Sequence, residues 1–229
     1  NGITSAPMHD MGIELSQEEY GKAVKDVMRF VEEMHDAKEY GSLIRVTPCD
    51  WDLLRRFAVP RGYSEGQMRM DIHGEIAASE RLQNLFNIGE ALSQRYDVVV
   101  TNPPYMGSQN MGNGLLEYIK KNHPDSKADI YAAFIERNFV FSRRYVSMIT
   151  QSTWMFQSRF ENIRSNLYQK LLVCMNHLGT RAFDEISGEV VQTTAFCYLN
   201  QRYLNNYKTV FVKLVDYYGE QAKENAFFD

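Results

Sequence analysis

The order of apolar patterns in this chain predicts an α/β protein, with a mainly parallel sheet, an antiparallel edge, and helices ahead of it. Three features of its 229 residues carry that expectation. Helical patterns fill the first third, short apolar runs then alternate with helical stretches, and a run of strands closes the chain. Strands alternating with helices imply a parallel sheet, because each crossover helix returns the chain to the same end. Successive closing strands suit an antiparallel edge.

Residues 1–14 show no periodicity and read as an arm. Ser16 followed by Glu19 forms a capping box. Tyr20, Val24, Val27, Met28, Val31 and Met34 then recur at helical spacing, which predicts a helix to about Tyr40, stopped at Gly41. Thr47-Pro48 opens a second helix through Trp51, Leu53, Leu54 and Phe57, since proline suits a first turn. Residues 60–74, with Gly62 and Gly66, read as loop, and Ser79 as the cap of a third helix carrying Leu82, Leu85, Phe86, Ala91 and Leu92. A strand is expected over 96–101. The polar stretch 106–127 is a loop with room for a short helix at 114–121. Helices over 128–143 and 159–171 and strands over 145–150, 172–177, 193–199 and 209–215 complete the expected order.

Composition narrows the function classes. Hydrophobic residues at 44% and charged ones at 24% are ordinary for a globular domain. No apolar run approaches the roughly 20 residues that span a bilayer, and no signal-peptide pattern opens the chain, so no membrane partner is expected. Cys49, Cys174 and Cys197 are an odd, widely spaced set without C-x-x-C spacing. That argues against a disulfide framework and against a zinc site, and fits a reducing cytoplasm. A net charge of -4 counts mildly against a surface built to hold phosphates.

The chemistry concentrates in Asn102-Pro103-Pro104-Tyr105, directly after the apolar run Tyr96-Asp97-Val98-Val99-Val100-Thr101. Neither proline has an N–H, and both fix φ near -65°, so the turn is stiff and its carbonyls can stay free. Residues before proline avoid the helical region, which keeps Asn102 extended at the strand end. That is the sheet edge where ligands of parallel sheets bind. The side-chain oxygen of Asn102 and the backbone carbonyl of Pro103 can then accept one hydrogen each from a planar amine. Two such acceptors favour the pyramidal form and free a lone pair otherwise delocalised into a ring. Tyr105 would set an aromatic face beside a base rotated out of a duplex. No side chain titrating near neutrality is needed, because the work is preorganised dipole placement.

The run from Tyr96 to Tyr105 resembles motif IV of amino-group DNA methyltransferases. Ala128-Asp129-Ile130-Tyr131-Ala132-Ala133-Phe134-Ile135-Glu136 is similar to the D-L-Y-x-x-F-x-E helix of type I and type IIG adenine methyltransferases. Met148-Ile149-Thr150-Gln151-Ser152-Thr153-Trp154 resembles their next strand and I-T-x-x-x-W loop. His177 to Ile186 and Gly188 to Phe196 resemble the PglX-like enzymes of BREX phage-defence systems.

The resemblance covers about residues 75–200 and implies a partial Rossmann-like methyltransferase sheet. It implies S-adenosyl-L-methionine as methyl donor and a flipped adenine of double-stranded DNA as acceptor. Asn102, Pro103, Pro104 and Tyr105 would hold the base. Phe183 would lie on its other face, or be a core residue of the closing strands. Asp129 and Tyr131 would line the donor or substrate, with a helix-start carboxylate the equal reading of Asp129.

The family's glycine-rich donor loop has no counterpart, since Gly112-Asn113-Gly114 follows the Asn-Pro-Pro-Tyr turn and no strand. The chain is therefore expected to hold a helical segment (1–74), the adenine-binding half of a catalytic domain (75–218) and a tail (219–229). Its partners would be DNA, the upstream and downstream domains of the same protein, and other defence-system proteins. Two alternatives stay open. A glutamine methyltransferase uses the same turn on a side-chain amide. A non-catalytic DNA-binding or scaffold module could set Arg137, Arg143, Arg144, Arg159 and Arg164 along phosphates.

Overall fold

The computed structural model describes residues 15–59, 72–183, 191–202 and 204–228. The expected arm at 1–14, the glycines at 62 and 66 and the segment from Asp184 to Val190 lie outside these. The chain divides into two compact units, residues 1–94 and 95–229.

The first unit is helical: α1 (Gln17–Glu33), α2 (Ala37–Tyr40), α3 (Trp51–Phe57) and α4 (Ile72–Ser93). The capping box forms as expected, with Glu19 N–H donating to Ser16 Oγ at 3.2 Å and Ser16 N–H to Glu19 Oε2 at 2.9 Å. The buried stripe of α1 differs from the expected one. Ala23, Val27, Phe30 and Met34 face the core, while Met28 and Val31 are exposed. Asp50, rather than Thr47-Pro48, caps α3 by accepting from Leu53 N–H at 3.0 Å, and Thr47 instead donates its N–H and hydroxyl to Glu33. Ser79 lies inside α4, and its hydroxyl donates to Ala58 carbonyl at 2.8 Å, so it caps nothing. Gly89 leaves room for Phe30 and Trp51, whose rings would lie 2.3–2.8 Å from any Cβ there.

The second unit carries β1 (Tyr96–Thr101), α5 (Asn113–Asn122), α6 (Ile130–Phe141), β2 (Ser142–Gln151), α7 (Glu161–Leu167), β3 (Lys170–Gly179), β4 (Thr193–Arg202), β5 (Val210–Lys213) and α8 (Glu220–Phe228). The sheet order is β1-β2-β4-β3-β5. β1 pairs parallel with β2 and β5 with β3, whereas β4 is antiparallel to both β2 and β3. Four strands thus share a direction, which is the mainly parallel sheet expected. The reversed strand is interior, not at an edge, because the chain leaving β3 returns beside β2. The expected tail forms α8 instead. The expected 159–171 helix stops at Leu167, and β3 starts at Lys170.

One face of the sheet packs on α6 and α7. Val146, Met148, Met175, Phe196 and Tyr198 meet Tyr131, Ala132, Ile135, Phe160, Ile163, Leu167 and Trp154 in one core. A buried polar cluster ties the connection from α5 to α6. His123, fully buried, sits with Nδ1 3.0 Å from Glu136 Oε2, and Ser126 Oγ donates to Glu136 Oε1. No helix among the described residues is long and apolar enough to cross a membrane.

Candidate functional site

β1 ends at Thr101, in register with Met148 of β2, and the chain then leaves the sheet as Asn102-Pro103-Pro104-Tyr105. Asn102 and Pro104 are exposed, Pro103 is buried and Tyr105 is half-buried. An extended strand followed by two prolines has little freedom, and two polar side chains of the following helix remove more. Asn138, buried on α6, donates to Thr101 Oγ1 at 3.0 Å, immediately before the turn. Asp129, the cap of α6, accepts from Met106 N–H at 3.1 Å, immediately after it, and from Tyr131 N–H at 3.4 Å. Backbone pairing continues the clamp, with Ile130 N–H donating to Met106 carbonyl at 3.0 Å and Ser108 N–H to Ala128 carbonyl at 3.1 Å.

Tyr105 lies edge to face with Tyr131, ring centroids 6.1 Å apart, and its hydroxyl is buried with no partner among the described residues. Burial raises its pKa above the usual phenol value. Tyr131 has no exposed surface, and its hydroxyl lies 2.7 Å from Thr153 Oγ1. Trp154 is also core, its indole N–H donating to Thr150 Oγ1 at 3.1 Å. Phe183 is half-buried, four residues past the end of β3. Three inter-strand steps of about 4.8 Å put β1 and β3 about 14 Å apart across the sheet, with β2 and β4 between them, and β3 runs on past the level at which β1 ends. Phe183 and the Asn102 turn thus rise from the same edge but are not in contact through the sheet.

Asp129 is a carboxyl group beside this turn. Burial raises its pKa most, opposed by the N–H groups of Met106 and Tyr131 and by the positive charge of Arg159. The sign follows: the fold favours the protonated acid, so this group's contribution to stability falls as pH rises from the unfolded value near 3.8 through the higher folded one. Asp129→Asn keeps an acceptor for Met106 N–H and removes that burial cost. Melting temperatures at neutral pH should therefore stay at or above the parent for Asp129→Asn. Asp129→Ala, which loses the cap, should be destabilised by about 1 kcal/mol. Equal losses in the two variants would contradict this account.

The expected arginine row is not continuous. Arg137 is buried with its guanidinium 3.9 Å from the Phe141 ring, and Arg143 and Arg144 sit at the start of β2. Arg159 and Arg164 follow its far end at Gln151, about 25 Å of strand away. Arg164 is tied to the carbonyls of Trp154 and Gln157.

Asn138 was not singled out in the sequence, although a signal existed. It is a buried amide on a helix that is apolar apart from Glu136 and Arg137, a position that needs a polar partner.

The family model described as Eco57I restriction-modification methylase matches residues 55–179, just over half of the chain. The chain is 39% identical over 194 residues to the adenine-specific methyltransferase PglX of Lacticaseibacillus casei (strain Zhang), covering 83% of this chain and 16% of that one. It is 40% identical over 207 residues to the adenine-specific methyltransferase BrxX of Escherichia coli O9:H4 (strain HS), covering 88% and 17%. It thus spans about one sixth of the length of these curated relatives. Among solved structures it is similar to the type IIL restriction-modification enzyme MmeI in complex with DNA, at 13% identity and a TM-score of 0.40, covering 85% of this chain and 38% of that one.

Proposed function

The chain belongs to the Eco57I restriction-modification methylase family, and from that premise we propose that it forms the adenine-holding part of a DNA adenine methyltransferase. The reaction moves a methyl group from S-adenosyl-L-methionine to the exocyclic amine of adenine in double-stranded DNA, in the cytoplasm, as part of phage defence or restriction-modification. The observation that carries this reading is the Asn102-Pro103-Pro104-Tyr105 turn, exposed at the strand end and clamped on both sides by Asn138 and Asp129. Asn102 Oδ1 and the Pro103 carbonyl accept the two amine hydrogens. Tyr105 borders the base, and Phe183 closes on its other face. The amine attacks as a neutral group, becomes cationic on transfer and then loses its proton.

The donor, when bound, supplies an electrophilic methyl group. The residues at hand fit the acceptor side better than the donor side. Tyr131 is wholly buried, and Asp129 has one carboxylate oxygen committed to the Met106 and Tyr131 N–H groups. We therefore assign the donor's main ligands to a part of the protein other than this sheet edge. The adenine-binding half is then the second compact unit, residues 95–229, and the boundary expected at residue 74 falls inside α4, which belongs to the helical unit. Upstream and downstream segments and other defence-system proteins are the remaining partners.

Incubating labelled S-adenosylmethionine and unmethylated DNA with this chain, alone and with a donor-binding segment, tests the reading. Label in methylated adenine is expected only when both pieces are present. Label in protein glutamine, or none under any combination, would reject it. Two relatives near 40% identity, both adenine-specific by name, speak against the glutamine acceptor. The interrupted arginine row speaks against a purely electrostatic module.

A further inference from the structure

Phe183 stands beyond a turn whose backbone needs holding. Gly179 has φ +69°, and a Cβ there would come within 3.0–3.1 Å of Val215, so only glycine fits. Two residues on, Arg181 has φ +54°, a left-handed conformation that non-glycine residues rarely adopt. Such a pair persists only where surrounding structure over-determines it.

The surrounding structure is the C-terminal segment. Leu214 N–H donates to His177 carbonyl at 2.9 Å, and the Arg181 guanidinium lies 5.4 Å from the centre of the Tyr218 ring. The strongest tie is Lys223 of α8, only 5% exposed. An ammonium has three protons to donate, and Lys223 Nζ has three backbone oxygens to take them: Leu178 at 2.7 Å, Leu214 at 2.8 Å and Tyr217 at 2.6 Å. Burying a lysine among neutral dipoles is costly unless all three are aimed at it. Leu178 is the residue before the left-handed glycine. The ammonium therefore joins the end of β3 to the segment running from β5 into α8.

We infer that Lys223 is a positioning residue for the base-facing turn. By fastening Leu178 to Leu214 and Tyr217, it fixes the direction in which residues 180–183 leave the sheet, and so the place of Phe183. This rests on the reading of Phe183 as the aromatic on the second face of the adenine. The roughly 14 Å of sheet between β3 and β1 makes direction matter. A small change of angle at Leu178 is enlarged at the ring.

The test is a double-substitution cycle in the methyltransferase that carries donor and acceptor parts together, read as kcat and as KM for DNA. Lys223→Met should lower kcat about ten- to a hundredfold, the scale of an ångström-level misplacement. In a Phe183→Ala background the same substitution should change little, because the ring it positions is gone. Tyr218→Ala, which leaves the ammonium in place, repeats the measurement on an exposed residue should Lys223→Met fail to fold. Losses that multiply independently in the double variants would overturn the inference, since the C-terminal segment would then act through overall stability. Phe183→Ala with unchanged turnover would instead remove the base-face reading beneath it.

Discussion

Replacing Asn102 with alanine is expected to lower methyl transfer about 10²–10³-fold, the scale for losing one preorganised polar contact to the reacting group. Asn102 is exposed at the end of β1, with the buried Pro103 and the clamps on Thr101 and Met106 shaping the turn around it. The variant should therefore melt where the parent does and retain DNA equally well, with the loss confined to kcat. Asn102→Asp is the informative partner. A carboxylate still accepts a hydrogen from the amine, so transfer should fall far less than with alanine. Equal activity of the alanine variant and the parent, in a polypeptide able to bind the donor, would end the amine-holding account. Unequal melting would show that Asn102 carries stability the structure does not assign to it.

The second large effect is on folding. Phe196 of β4 is 2% exposed and meets two rings edge to face, Trp154 at 5.4 Å and Tyr198 at 5.6 Å between centroids. β4 is the strand on which β2 and β3 both depend. Phe196→Ala should cost about 3–5 kcal/mol, from lost transfer energy and the cavity left behind. The control is the same substitution at Phe156, which is 64% exposed and should stay within about 0.5 kcal/mol. Denaturant midpoints followed by near-ultraviolet signals would separate the two. Comparable shifts would mean that this core is not where the unit's stability lies.

Much of this was legible in the sequence where local and tertiary demands agree. The Asn-Pro-Pro-Tyr turn is positioned by covalent geometry, so two prolines after an apolar run sufficed. The capping box at Ser16 and Glu19 is equally local. Asp129 illustrates two readings of one residue: a carboxylate at this place suits a helix start or a donor ligand, and here it accepts from Tyr131 N–H and Met106 N–H. What stayed hidden depended on long-range placement. Periodicity cannot tell which of two apolar stripes on α1 finds a partner, and Phe30 won because Phe86 and Trp51 meet it. Nor does a strand's sequence reveal its slot: the closing strands read together as an antiparallel edge, whereas β4 lies inside the sheet. Residues 220–228 are rich in helix formers, yet the ties of Lys223 come from Leu178, Leu214 and Tyr217, outside that helix.

The interior place of β4 has a consequence in time. β2 is finished at Gln151, but the strand that fills its inner side ends at Arg202, 51 residues later (202 − 151). A ribosome adding about 5–20 residues per second needs about 3–10 s to make that stretch. Throughout it, β2 and then β3 present unsatisfied backbone and apolar side chains with their shared neighbour not yet made. The nascent chain is most open to mispairing during those seconds, and holdase binding would matter most then.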